Sequence, residues 1–184
     1  MKRFTLSLLA LLLLIGSALG QTGKKKSDLL FEYVGQVTNS GPSSAQYGNL
    51  TNIAGQSGTF TFYTIATNVS VTNNGSIRVI DRSGTTTIYL ANAAGDFSNP
   101  DSFRAGTPVQ VSDLKQQVIV DTATGAFTVL NVNTITSVVP FPSNDEYETL
   151  GDEGQVFRTS LTGHLNPGAP PPSGWFGGYA VSAR

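Results

Sequence analysis

One stretch, Thr59 to Leu90, restricts the fold more than any other part of this chain. It reads as a hydroxyl-rich β run, the turn Asn73-Asn74-Gly75, a run from Ser76 to Asp81, the turn Arg82-Ser83-Gly84 and a run from Thr85 to Leu90. Both central residues of a type I′ turn need positive φ, which Asn, Asp and Gly adopt at low cost, so Asn74-Gly75 marks a hairpin. Three strands joined by two tight turns predict an antiparallel meander. In the first run Phe60 and Phe62 share one parity, while Tyr63, Ile65, Val69 and Val71 share the other. A strand buries both sets against one core only if it carries an extra residue, which predicts a β-bulge near Phe62 and Tyr63.

The rest of the chain extends this pattern. Leu29 to Val37 reads as a first strand with Phe31, Tyr33 and Val37 on one face, broken by Asn39-Ser40-Gly41-Pro42. Tyr47 to Ala54 is a second strand, and Gly55-Gln56-Ser57-Gly58 the turn after it. Ala91 to Gly106 is a long loop whose Phe97 and Phe103 pin it to the body of the domain; it is the candidate lid. Thr107 to Asp121 is one strand or a broken pair, since Val109 and Val111 differ in parity from Val118 and Val120. Ala126 to Val139 follows, ended by Pro140 and Pro142. Ser143 to Gly154, with five acidic residues, reads as an exposed excursion. Gln155 to Leu165 is a further strand, a Pro-rich connection lies near 166–174, and Trp175 to Ser182 is a closing strand weakened by Gly177-Gly178.

Eight or nine strands at this spacing, with no helical period, predict an all-β fold: a single antiparallel β-barrel of about eight strands, with a β-sandwich as the alternative. Sequential neighbours and the expected bulge favour the barrel. The domain occupies residues 29–184. Before it, Lys2 and Arg3, the apolar run from Leu6 to Ile15 and Ala18-Leu19-Gly20 form a secretory signal peptide over residues 1–20, and residues 21–28 a flexible leader. The apolar run is shorter than the ~20 residues of a spanning helix, so no membrane span is expected in the mature protein. The expected location is secreted or periplasmic.

Composition narrows the chemistry. The chain has no cysteine, which excludes disulfides, thiolate metal sites and a cysteine nucleophile. An exported chain without cysteine points to a bacterial envelope. The formal charge of -1 becomes about -3 once Lys2 and Arg3 are removed, and gives no reason to expect nucleic acid as a partner. His164, the single histidine, reads as a half-exposed strand-end residue, and one histidine cannot build the usual zinc ligand set. No Gly-x-Ser-x-Gly elbow or phosphate-binding loop is present. Among Glu32, Asp81, Asp96, Asp101, Asp113 and Asp121, a facing pair across a barrel mouth would suit glycoside hydrolysis, but scattered surface acids are the simpler expectation. Asp96, Asn99 and Asp101 are oxygen donors of the kind calcium takes, without its alternating pattern and downstream Glu. No catalytic, metal or cofactor residue is therefore assigned, and ligand-binding residues are left open.

Tyr47-Gly48-Asn49-Leu50, Phe60 to Thr67, Gly95 to Pro100 and Gly106-Thr107-Pro108-Val109 resemble a group of small exported bacterial β-proteins of unassigned function. That resemblance, over about Phe31 to Phe157, implies export and one β domain, and no activity. The alternation of strands and Gly-rich turns is more loosely similar to the eight-stranded barrels of allene oxide cyclases and dirigent proteins; no working residue of that group maps here. The expectation is an exported, non-enzymatic β domain that binds a small apolar ligand or a cell-surface polymer, or is structural in the envelope. The alternative is a cyclase- or isomerase-like enzyme with its site in the barrel cavity. A cavity of a few hundred Å3 with convergent polar groups separates binding or catalysis from a filled, structural interior.

Overall fold

In the computed structural model, residues 29–53, 58–143, 146–166, 168 and 173–182 are described. The leader at 1–28, the turn at 54–57 and the proline run 170–172 lie outside them. The strands are β1 (Leu29–Ser40), β2 (Ser43–Thr51), β3 (Thr59–Asn74), β4 (Ile77–Ala91), β5 (Thr107–Asp121), β6 (Ala126–Val138), β7 (Phe141–Ser143), β8 (Glu146–Glu148), β9 (Val156–Asn166) and β10 (Ser173–Ser182). Eight of them close into an antiparallel barrel in the order β1-β10-β9-β6-β5-β4-β3-β2, while β7 and β8 form a separate hairpin. The sandwich alternative is set aside. Among the described residues no helix is long and apolar enough to cross a membrane.

Asn74 closes its hairpin against Ile77, leaving Gly75-Ser76 as the two-residue loop. Gly75 has φ +60 and neither Asn74 nor Ser76 is positive, so glycine at the first loop position replaces the expected Asn-Gly pair. Gly41-Pro42 closes the β1–β2 hairpin in the same way, with Gly41 at φ +58.

The expected turn at Arg82-Ser83-Gly84 does not exist, because β4 runs through it without a break. Gly84 is there for closeness instead: a Cβ on it would lie 2.0 Å from the Ile65 carbonyl oxygen. The meander is thus one long hairpin. Its bulge falls at Val69, between the pairs Asn68↔Arg82 and Ser70↔Asp81, and not near Phe62 and Tyr63. Tyr63 and Ile65 simply face outward, so the two parities conflict only further along. Beyond Val69 the phase reverses and Val71 comes opposite the buried Ile80. In β5 an extra residue at Val109 does the same, letting Val109 and Val118 both reach the core of a single unbroken strand.

A row of residues crosses six strands at one level: Phe62, Gly48, Gly35, Phe176, Gly163 and Phe127 stand opposite one another in turn. A Cβ on Gly35 would strike the Phe176 ring at 2.5 Å, and one on Gly163 the Phe127 ring at the same distance. Aromatic rings therefore lie across bare backbone, which gives the wall its tight curvature. Of the two glycines expected to weaken β10, Gly178 lies close against Ser160 and Leu161, with a Cβ on it falling 2.4 Å from the Ser160 carbonyl oxygen, whereas Gly177 has no near neighbour.

One end of the barrel carries the short turns 41–42, 75–76 and 122–125 and the β9–β10 connection, and will be called the turn end; the other carries the connections 52–58, 92–106 and 139–155 and will be called the loop end. Two expectations about those connections change. The loop 92–106, with a 3-10 helix at Pro100–Arg104, is no lid, since it packs on the outer wall of β2 and β3. Phe103 is fully buried there against Tyr47, the Thr61 hydroxyl donates to the Phe103 carbonyl at 2.8 Å, and Asn49 Oδ1 accepts from Gly95 N at 2.8 Å. The segment that stops the loop end begins just before the expected excursion: Phe141 is buried edge-on to Phe60 with ring centres 5.4 Å apart. Within 143–154 the described residues are mostly exposed, as expected, but Ser143 is buried, Leu150 packs on the core and its carbonyl accepts from Gln110 Nε2. Glu146 and the other acidic residues described there stay at its surface.

Candidate functional site

Inward-facing residues divide the barrel interior into three storeys. At the loop end, Leu50, Phe60, Ile88, Val109 and Phe141 fill it. Across the middle runs a belt of amides: Gln46 Nε2 donates to Gln116 Oε1 at 3.2 Å, Gln116 Nε2 to Asn131 Oδ1 at 3.0 Å, and Asn131 Nδ2 to the Thr159 hydroxyl at 2.8 Å. Buried amides need partners, and strand register supplies them, because Gln116, Asn131 and Thr159 are direct cross-strand neighbours. At the turn end, above the belt, the interior stays open as a cup of about 240 Å3.

The cup is two-sided. Val118 and Val120 of β5, Phe127 and Val129 of β6 and Leu161 and Leu165 of β9 make an apolar wall, continued by Phe176 and Val37. Asn39, Gln46, Asn68, Arg78 and Arg82 make the polar side. Arg82 is 8% exposed. Its Nε donates to Asn68 Oδ1 at 2.9 Å and its Nη2 to Asn39 Oδ1 at 3.0 Å, while Nη1 reaches Gln116 Oε1 only at 3.5 Å. Burial, and secondarily the like charge of Arg78, pulls its pKa below the ordinary guanidinium value.

Below the belt is a crevice of about 30 Å3, lined by Tyr33, Thr64, Asn131, Asn133 and Thr159 among others, with room for little more than one water. The buried Tyr33 hydroxyl has no hydrogen-bond partner among the described residues. Burial lifts its pKa above the usual phenol value, an effect the neighbouring Thr159 hydroxyl opposes only in part. Such a phenol is a poor acid for catalysis. Outside, β4, β5, β6, β9 and β10 form a shallow groove of about 810 Å3 in which Leu130, Val132 and Tyr179 are exposed beside Lys115 and Arg158.

None of the six carboxylates named from the sequence lines the cup or the crevice. Glu32 accepts from Asn52 and Asp81 from Ser70 and Gln117 on the outer wall; Asp113 is exposed, and Asp121 accepts from Ala123 N and Thr124 in its own turn. No pair faces across a mouth. The proposed calcium donors are otherwise engaged: Asp96 accepts from the Ser98 backbone and hydroxyl, and Asp101 is paired with Arg104 at 2.6 Å. Among the described residues no three of His, Asp and Glu gather to hold a metal. His164 is exposed on β9, its Nδ1 2.7 Å from the Leu165 carbonyl oxygen.

The residues that sequence reasoning missed are Arg82 and its amides. The signal was parity: Ile80, Arg82, Gly84, Thr86 and Ile88 alternate inward, and Phe127, Val129, Asn131, Asn133 and Ile135 do likewise. A polar residue inside such a series is a buried polar group. Comparison with models of protein families, with curated proteins and with solved structures returned no match.

Proposed function

We propose that this protein is an exported, non-enzymatic barrel that binds a small, largely apolar molecule in the cup at its turn end. The observation that carries the reading is the contrast within one interior: the storey below the belt is filled but for a crevice of about 30 Å3, whereas about 240 Å3 is left open above it between an apolar wall and a few convergent polar groups. Ligand sites have this composition, and a barrel mouth is one of their usual places. A purely structural barrel gains stability by filling such a space, since each missing apolar contact weakens the core. The signal-like first twenty residues and the lack of cysteine support action outside the cytoplasm of a bacterium.

Titration with the uncharged, compact fluorophore 1-naphthylamine, close in size to the cup's capacity, tests the reading. Saturable one-to-one enhancement is expected. Val120→Trp, which fills the cup, should weaken it at least about tenfold, a loss of roughly 1.4 kcal/mol. Val132→Ser on the outer groove should leave it unchanged. No saturable binding, or loss on the outer-wall change alone, overturns the reading.

A further inference from the structure

The polar side of the cup is built around a cation without a counter-ion. A buried guanidinium is ordinarily paired with a carboxylate, because an uncompensated charge away from water is costly. Here all three of its hydrogen-bond partners, Asn39, Asn68 and Gln116, are neutral amides, and Gln116 Oε1 is shared with Gln46. The only ion pair among the described residues joins Asp101 and Arg104 on the outer wall. Among the described residues no acidic side chain lines the cup, and Arg78 at its rim adds a second positive charge.

Guanidinium carries five N–H donors in a rigid fork. Asn68 takes the Nε donor and Asn39 one on Nη2. One on Nη2 and at least one on Nη1 remain unspent. Both belong to a side chain that lines the cup, and the two asparagines, by holding the other edge, fix its plane.

We propose that the cup selects small amphipathic carboxylates, with the carboxylate seated on the unspent Nη1 and Nη2 donors of Arg82 and the apolar body against the β5–β6–β9 wall. This rests on the cup being a ligand site and names the chemistry of its ligand. Two neighbouring guanidinium donors match the two oxygens of one carboxylate. A phosphate has more oxygens and more charge than that edge serves, and would set the surplus against Val118 and Val120. At about 30 Å3 for each small group, 240 Å3 accommodates roughly eight, the size of a medium-chain or simple aryl acid. Asn39 and Asn68 act as positioning residues, through Arg82.

The test is displacement of 1-naphthylamine from the purified protein by octanoate, octan-1-ol and octyltrimethylammonium, which share a tail and differ in the head. Octanoate should displace the probe at a concentration at least about tenfold below octan-1-ol, as expected for a hydrogen-bonded charge, and the cation should be weakest. Arg82→Gln should bring the acid and the alcohol within about twofold of each other. Asn68→Ala, which frees the fork without removing its charge, should cut the ratio of alcohol to octanoate displacement concentrations severalfold. Should Arg82→Gln fail to fold by far-UV circular dichroism, the wild-type comparison and Asn68→Ala decide. Equal displacement by acid and alcohol from wild type overturns the carboxylate assignment and leaves the cup as a ligand site. If the neutral probe does not bind, the cup reading falls and this inference falls with it.

Discussion

The two ends of the barrel are made from the same strands yet finished in opposite ways. At the loop end, Phe60 and Phe141 meet edge-on and the interior is packed. At the turn end, Arg82, Asn39 and Asn68 stand opposite valines and leucines, and space is left between them. The difference teaches that dense packing and open space are held in separate storeys, with the Gln46–Gln116–Asn131–Thr159 belt as the floor between them. A closed end can be rigid because nothing must enter it, and an open end can carry an unpaired charge because a filled neighbour keeps the strands in register.

The sharpest way to break this contrast is truncation at each end. Phe60→Ala, at a site 1% exposed, should cost about 3–5 kcal/mol in urea unfolding. Leu165→Ala, at the half-buried rim of the cup, should cost no more than about 1 kcal/mol. Comparable losses would mean that the two ends carry equal load.

Between the ends, Tyr33→Phe removes an orphaned hydroxyl and should be neutral or stabilising by about 1 kcal/mol. Its pH signature is more specific. Because burial raises the folded-state pKa above the unfolded value, the folded protein keeps a proton that the unfolded chain loses. Wild-type stability should therefore be level below about pH 10 and fall above it, by up to ~1.4 kcal/mol per pH unit. In unfolding curves taken up to pH 11, Tyr33→Phe should flatten that fall. An unchanged alkaline slope would show that another group carries it.

The smallest effect belongs to the outer wall. Trp175, the chain's single tryptophan, has Phe97 of the 92–106 loop against it with ring centres 5.1 Å apart. Phe97→Ala should move its emission a few nanometres to the red without altering probe binding in the cup. A change in probe affinity would tie the loop to the site after all.

What the sequence displayed well was strand number and closure, because Gly41-Pro42, Gly75 and Gly125 punctuate it where the chain reverses. It misled wherever glycine served proximity and not direction. Arg82-Ser83-Gly84 carries the residues of a turn, yet Gly84 is bare because the Ile65 carbonyl occupies the place of a side chain. Reading a turn there also hid Arg82, whose inward parity follows only if Ile80 to Ile88 is one strand. The two long connections were exchanged for a related reason. Phe97 and Phe103 made one look like a cover, and the acids around Phe141 made the other look solvated. Hydropathy averaged over a loop does not say which single aromatic is inserted, and Phe141 is the one that enters the barrel.

The row of rings laid over glycines has a consequence for a chain with no sulfur to bind its ends together. β1 and β10, the first and last strands, meet along a border where Phe176 covers Gly35 and touches Tyr33, and where Phe62 reaches the same ring from three strands away. Parting that border would uncover three aromatic faces at once, so it resists fraying from either terminus. It serves as a clasp, and it does so in any redox surroundings.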